Sequence, residues 1–120
     1  MSAAIPKVSY GQTVTRIKQG DTLPILTYTT QDENQQMVPI TGATGVQFRY
    51  CLKGADPATA IVRQATILAA DQGQLTYAWI AADTAQPGTY NGEWIVAFPN
   101  GGQQTFPVRG YQPFVVEAKL

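Results

Sequence analysis

Two stretches of the chain alternate apolar and polar side chains with a period of two. In TGVQFRYCLK, Val46, Phe48, Tyr50 and Leu52 share one phase, and Gln47, Arg49 and Cys51 the other. In GTYNGEWIVAFP, the residues Tyr90, Gly92, Trp94, Val96 and Phe98 share a phase. Successive side chains of a strand point to opposite faces, so each stretch predicts a strand with one apolar face. The turn formers KQGD, DENQQ, TGATG, KGADP, ADQGQ, AQPG, PNGG and VRGYQP punctuate the rest. Strands are therefore predicted at 13–18, 23–30, 44–52, 60–68, 74–80, 88–98, 103–107 and 111–118. The Ala-rich stretch ATAIVRQATILAA is assigned to strand as well, because Ile61, Arg63 and Ala65 alternate with Val62, Gln64 and Thr66.

Local signals refine this picture. Pro24 brings no N–H to a ladder, which predicts an edge or a bulge in its strand. DENQQ and FPNGGQQTFP read as hairpin loops, and AADTAQPG as a single helical turn capped by Asp83 and ended by Pro87-Gly88. Two one-sided sheets pack face to face about 10 Å apart. The expected fold is all-β, an immunoglobulin-like antiparallel β-sandwich of about seven or eight strands over residues 13–120. A short N-terminal arm, residues 1–12, would precede it. Asp83 and Tyr90 have the placing of a tyrosine corner, in which the Tyr hydroxyl bonds back to upstream backbone and pins the crossover between sheets. Trp94, Phe48 and Tyr50 are the expected core around it.

Composition narrows the function classes. With 44% hydrophobic residues, 120 residues can build one core without metal or disulfide support, and Cys51, the single cysteine, has no partner for an internal bridge. Eight basic residues balance eight acidic ones, leaving no excess cation to neutralise phosphates, so nucleic acid is not an expected partner. No apolar run reaches the roughly 20 residues a membrane helix needs, and MSAAIPKVSYGQT lacks the layout of a signal peptide. The expectation is a protein made and kept inside the cell that synthesises it, and not inserted in a membrane. Only 13% of residues are charged, and a near-neutral, amide-rich surface suits a subunit packed against neighbours.

Candidate chemistry is sparse. The chain has no His, which removes imidazole acid–base catalysis and His-based metal sites. Asp32-Glu33-Asn34 could form a calcium corner, but a solvated hairpin tip is the favoured reading. Glu93 has no second acid placed beside it by any pattern, and Cys51 has no His to activate it. No enzyme, cofactor or metal is expected.

Several spaced motifs carry a resemblance. They are Gly20-Asp21 with Pro24, Ile40 to Thr44 before Phe48, Asp83 to Tyr90, Glu93-Trp94, Phe98-Pro99 and Gln104 to Pro107. In this order, over roughly residues 17 to 117, the chain resembles the immunoglobulin-like N-terminal domain of tailed-phage baseplate upper proteins and related short phage virion proteins. The resemblance implies a virion component in the tail, baseplate or capsid exterior, with other virion proteins and copies of itself as partners and no catalytic residues. The chain's end at Leu120, short of the parts with which baseplate upper proteins trimerise, favours a decoration or connector role. Candidate interface residues are Ile5, Val8 and Tyr10 in the arm, together with Tyr111 and Phe114. The alternative is a carbohydrate-binding or host-surface adhesion module that displays some of Tyr28, Tyr77, Tyr111 and Phe114 to a host glycan.

Overall fold

A computed structural model describes residues 14–120. Within them the chain forms eight strands: β1 (Thr15–Lys18), β2 (Leu26–Thr29), β3 (Gly45–Leu52), β4 (Ile61–Ala69), β5 (Gln74–Tyr77), β6 (Gly88–Ala97), β7 (Gln103–Phe106) and β8 (Gln112–Glu117). These are the eight strands that the turn spacing predicts. The arm assigned to residues 1–12, with Ile5, Val8 and Tyr10, lies outside the described residues.

The strands run in the order β1-β8-β6-β3-β4-β5-β2, with β7 also on β6. The path folds over at β4, whose Ile61 to Ala65 pair with β3 while Thr66 to Ala69 pair with β5. One strand thus serves two faces of an all-β, sandwich-like fold. A register shift between Ile67 and Ala69, just past the change of partner, leaves Leu68 exposed, as a bulge does where a strand bends. The sandwich is not wholly antiparallel, however. β1 runs parallel to β8, with Thr15 opposite Phe114 and Lys18 opposite Glu117. Both strands end near solvent, where Arg16 and Glu117 form an exposed ion pair at 2.7 Å.

β7 and β8 share the flank of β6. Phe106 faces Trp94 and Gln112 faces Gly92, so Pro107 to Tyr111 bulge outward opposite the single residue Glu93. Pro24 precedes β2 rather than lying within it, and β2 is the last strand of the path. The predicted strand at 23–30 is thus shortened where proline cannot donate to a ladder.

The inward phases of the strands meet in an aromatic core. Phe48, Trp94, Phe106 and Phe114 are completely buried. Phe48 is the centrepiece, with ring centroids 4.7 Å from Trp94, 5.6 Å from Tyr77 and 6.1 Å from Phe114. Tyr90 stacks on Phe114 at 4.9 Å and Tyr28 on Trp94 at 5.9 Å. Such ring pairs add roughly 0.5–1.5 kcal/mol each to the burial of their surface. The Phe48 ring fits because β6 carries glycine beside it: a Cβ on Gly92 would come within 2.5 Å of Phe48 Cζ.

Gly92→Ala should therefore push into a closed core and cost about 1–3 kcal/mol of stability, the range for overpacking. Urea denaturation measures this; an unchanged midpoint would mean that the core around Phe48 is looser than described.

Candidate functional site

The densest polar cluster sits under the turn that precedes β6. Ala81–Thr84 make one turn of 3-10 helix, and Asp83 within it turns its carboxylate into the sandwich. One carboxylate oxygen accepts the Tyr50 hydroxyl at 2.6 Å and Arg63 Nε at 2.9 Å. The other accepts the Tyr77 hydroxyl at 2.6 Å and the Ile80 N–H at 2.9 Å. Tyr50 lies on β3 and Tyr77 on β5, so one carboxylate clasps the two faces of the sandwich.

Electrostatics follow from this geometry. Burial alone would raise the Asp83 pKa, but hydrogen bonds from Tyr50, Tyr77, Ile80 and Arg63 stabilise the anion and leave it below the usual aspartate value. Burial, and then the hydrogen bond to the Asp83 anion, push the Tyr50 and Tyr77 hydroxyls well above an ordinary phenol. Tyr28, by burial, is pushed up to about 12. The Asp83 side chain is 0% exposed, and both of its oxygens are engaged. The cluster resembles a chemical centre in composition, yet its lone pairs are spent on holding strands together.

The same turn gathers further elements. Thr84 is buried, accepts the Gly20 N–H through its carbonyl and donates its hydroxyl to the Asp21 carbonyl at 2.8 Å. The Tyr90 hydroxyl donates to the Gln86 carbonyl at 2.7 Å, which is the bond of a tyrosine corner.

The other sequence candidates separate by face. Trp94, Phe48 and Tyr50 lie in the core. Phe114, expected at an interface, is 0% exposed and stacked against Tyr90, because it occupies the inward phase of β8. Tyr28 and Tyr77, weighed as displayed aromatics, are likewise buried. Tyr111 alone of that set is displayed, at 50% exposure. Asp32 at the tip of its loop accepts the N–H groups of Asn34 and Gln36 through one oxygen, the geometry of an Asx turn. Among the described residues no three His, Cys, Asp or Glu side chains converge to hold a metal ion. No family model matches the chain, and no curated protein matches it.

Two surface features stand out, of which the sequence predicted only an edge or a bulge at Pro24. The first is an open strand edge. Thr30 donates its N–H to Gly73 across from β5, and the Leu26–Tyr77 register continues this phase, so Leu26 and Tyr28 face β5. The N–H and C=O groups of Thr27 and Thr29 then point away from β5; the Thr27 carbonyl meets Gln112 Nε2 at 3.5 Å, and among the described residues β2 has no second partner strand. Beside this edge, the Trp79 indole donates to the Pro24 carbonyl at 2.9 Å and holds that segment next to Ile80. Leu23, Ile25 and Ile80 are exposed there at 70%, 44% and 48%. The signal in sequence was faint: Leu23 and Ile25 flank a proline, and Ile80 follows a Trp.

The second feature is a groove of about 440 Å³ on the outer face of β3, β6 and the start of β8. Arg49 and Glu93 pair across its floor at 2.7 Å, Asn91 and Cys51 lie two ladder positions along on the same face, and Tyr111 forms one side.

Removing the Asp83 carboxylate strands two hydroxyls and a guanidinium, so Asp83→Ala should cost about 3–5 kcal/mol in chemical denaturation, as for a broken buried ion pair. An effect below about 1 kcal/mol, the scale of an exposed pair, would contradict the clasp.

The pH dependence has two limbs. The folded Asp83 pKa is depressed, so its contribution is present above the unfolded value near pH 4 and is lost as pH falls through the lower folded value. The folded Tyr50 and Tyr77 values are raised, so their contribution is present below about pH 10 and fades as pH rises toward them. Thermal unfolding of wild type and Asp83→Ala across pH should show the difference between the two shrinking at the acid end. A pH-independent difference would count against the assignment.

Proposed function

We propose that this chain is a non-enzymatic structural component of a tailed-phage virion, an accessory of the tail, baseplate or capsid exterior, that acts by docking onto other particle proteins and onto copies of itself. The family resemblance supplies the virion setting. The observation that carries the docking reading is the edge of β2, which has no second partner strand among the described residues, beside the exposed apolar cluster of Leu23, Ile25 and Ile80. An unpaired edge offers main-chain hydrogen bonds to an added strand, and an adjoining apolar patch adds the burial that makes such an addition hold.

The surrounding chemistry agrees with a scaffold. The one buried carboxylate of the described residues is consumed by its four donors. The formal net charge is zero, so assembly would rest on shape and apolar contact more than on electrostatic steering.

Quantitative mass spectrometry of purified particles, scaled to the major capsid protein, tests the setting. A fixed stoichiometry is expected, and absence from clean particles would overturn the reading. The double variant Leu23→Glu, Ile80→Glu tests the surface. It should keep the wild-type Tm within a few degrees, since both side chains are exposed, while incorporation into particles falls at least about tenfold, the effect of roughly 1.4 kcal/mol of lost docking energy. Full incorporation of a folded double variant would remove this surface from the account.

A further inference from the structure

We propose that the outer groove of β3, β6 and β8 is a binding site for a neutral saccharide, a function separate from docking. Its floor is a cross-strand row. Arg49 on β3 lies opposite Glu93 on β6, and Cys51 opposite Asn91. On the other flank of β6, Asn91 lies opposite Pro113 and Gly92 opposite Gln112, which leaves Tyr111 beside Glu93 at the mouth of the bulge. Leu52 at the end of β3, with Ala55, Pro57 and Ala60 of the β3–β4 connection, provides an apolar wall.

The inward side of the sheet fixes this arrangement. Gln112 is buried, accepts the Trp94 indole N–H and reaches the Thr27 carbonyl at 3.5 Å. Gln112 is thereby locked inward, and its neighbour Tyr111 takes the outward phase. A half-exposed aromatic ring held in this way beside a polar floor has no role in the core, which lies on the other side of the strand.

Charge and hydrogen-bonding capacity select the ligand class. Arg49 and Glu93 neutralise one another, so the groove attracts neither a phosphate nor a free cation. Their pairing uses one guanidinium nitrogen and one carboxylate oxygen. The other carboxylate oxygen and the remaining guanidinium N–H groups make no further side-chain hydrogen bond among the described residues, and the Asn91 amide adds another donor and acceptor. Adjacent donor and acceptor groups match vicinal hydroxyls, each of which both gives and takes a hydrogen bond. The Tyr111 ring and the apolar wall suit the C–H face of a pyranose. The groove also falls within the roughly 300–1,000 Å³ typical of small-ligand sites.

The test is a titration of ¹⁵N-labelled protein, followed by amide NMR, with the methyl pyranosides of glucose, galactose, mannose, rhamnose and N-acetylglucosamine, and with inorganic phosphate as the charged comparison. At least one sugar is expected to shift amides of Arg49 to Gly54, Asn91 to Glu93 and Tyr111 together, with phosphate leaving them in place. Tyr111→Ala, at an exposed position that keeps the fold, should weaken that sugar by about tenfold or more, in line with the loss of a ring face. No shift with any sugar, shifts that survive Tyr111→Ala unchanged, or a response to phosphate alone would each overturn the proposal. Because the groove shares no residue with the Leu23–Ile80 surface, its failure leaves particle docking untouched, and the reverse also holds.

Discussion

The structure depends on one buried carboxylate. Asp83 sits in the turn before β6 and receives Tyr50 from β3 and Tyr77 from β5. An isolated buried anion would cost several kcal/mol, and the cost is offset here because every donor is charged or strongly polar and points at it. The two tyrosines also belong to the aromatic core, where Phe48 lies between them. Polar clasp and apolar packing therefore fix the same two strands. A change to either is felt by both, as expected of a close-packed interior.

The turn bearing Asp83 extends this control to the rest of the molecule. Thr84 ties down the β1–β2 connection, and Gln86 receives the Tyr90 hydroxyl at the start of β6. The β6 ladder then positions Trp94, which orients Gln112, which in turn sets the outward phase of Tyr111. The interior thus determines which side chains reach each surface. On the proposed reading, the edge of β2 and the groove beside Tyr111 are two independent faces carried by a single rigid frame.

Much of this was legible in the sequence where the information is local. Period-two patterning and turn chemistry locate all eight strands, and Asp83 to Tyr90 carries the corner pattern in its residue order alone. Phase was also available at Phe114: it lies three residues from Tyr111 and so on the opposite face, with Gln112 and Val116 sharing its inward phase. Leu75, Tyr77 and Trp79 alternate in the same way, as do Leu26, Tyr28 and Thr30, and all six are buried. Pairing between distant segments was not legible. Nothing local reveals that β4 changes partners midway or that β1 runs parallel to β8. Nor does spacing show that Arg63 and Tyr50, 20 and 33 positions from Asp83, converge on its carboxylate.

The most direct test of the central claim is a ¹³C NMR titration of the Asp83 side-chain carboxyl in the folded protein. The carboxyl carbon should stay in its ionised position below the usual aspartate midpoint of about 3.9, until acid unfolding begins. A carboxyl titrating at or above that midpoint while the fold persists would show that the four donors do not hold the anion, and the clasp would lose its place at the centre of the structure.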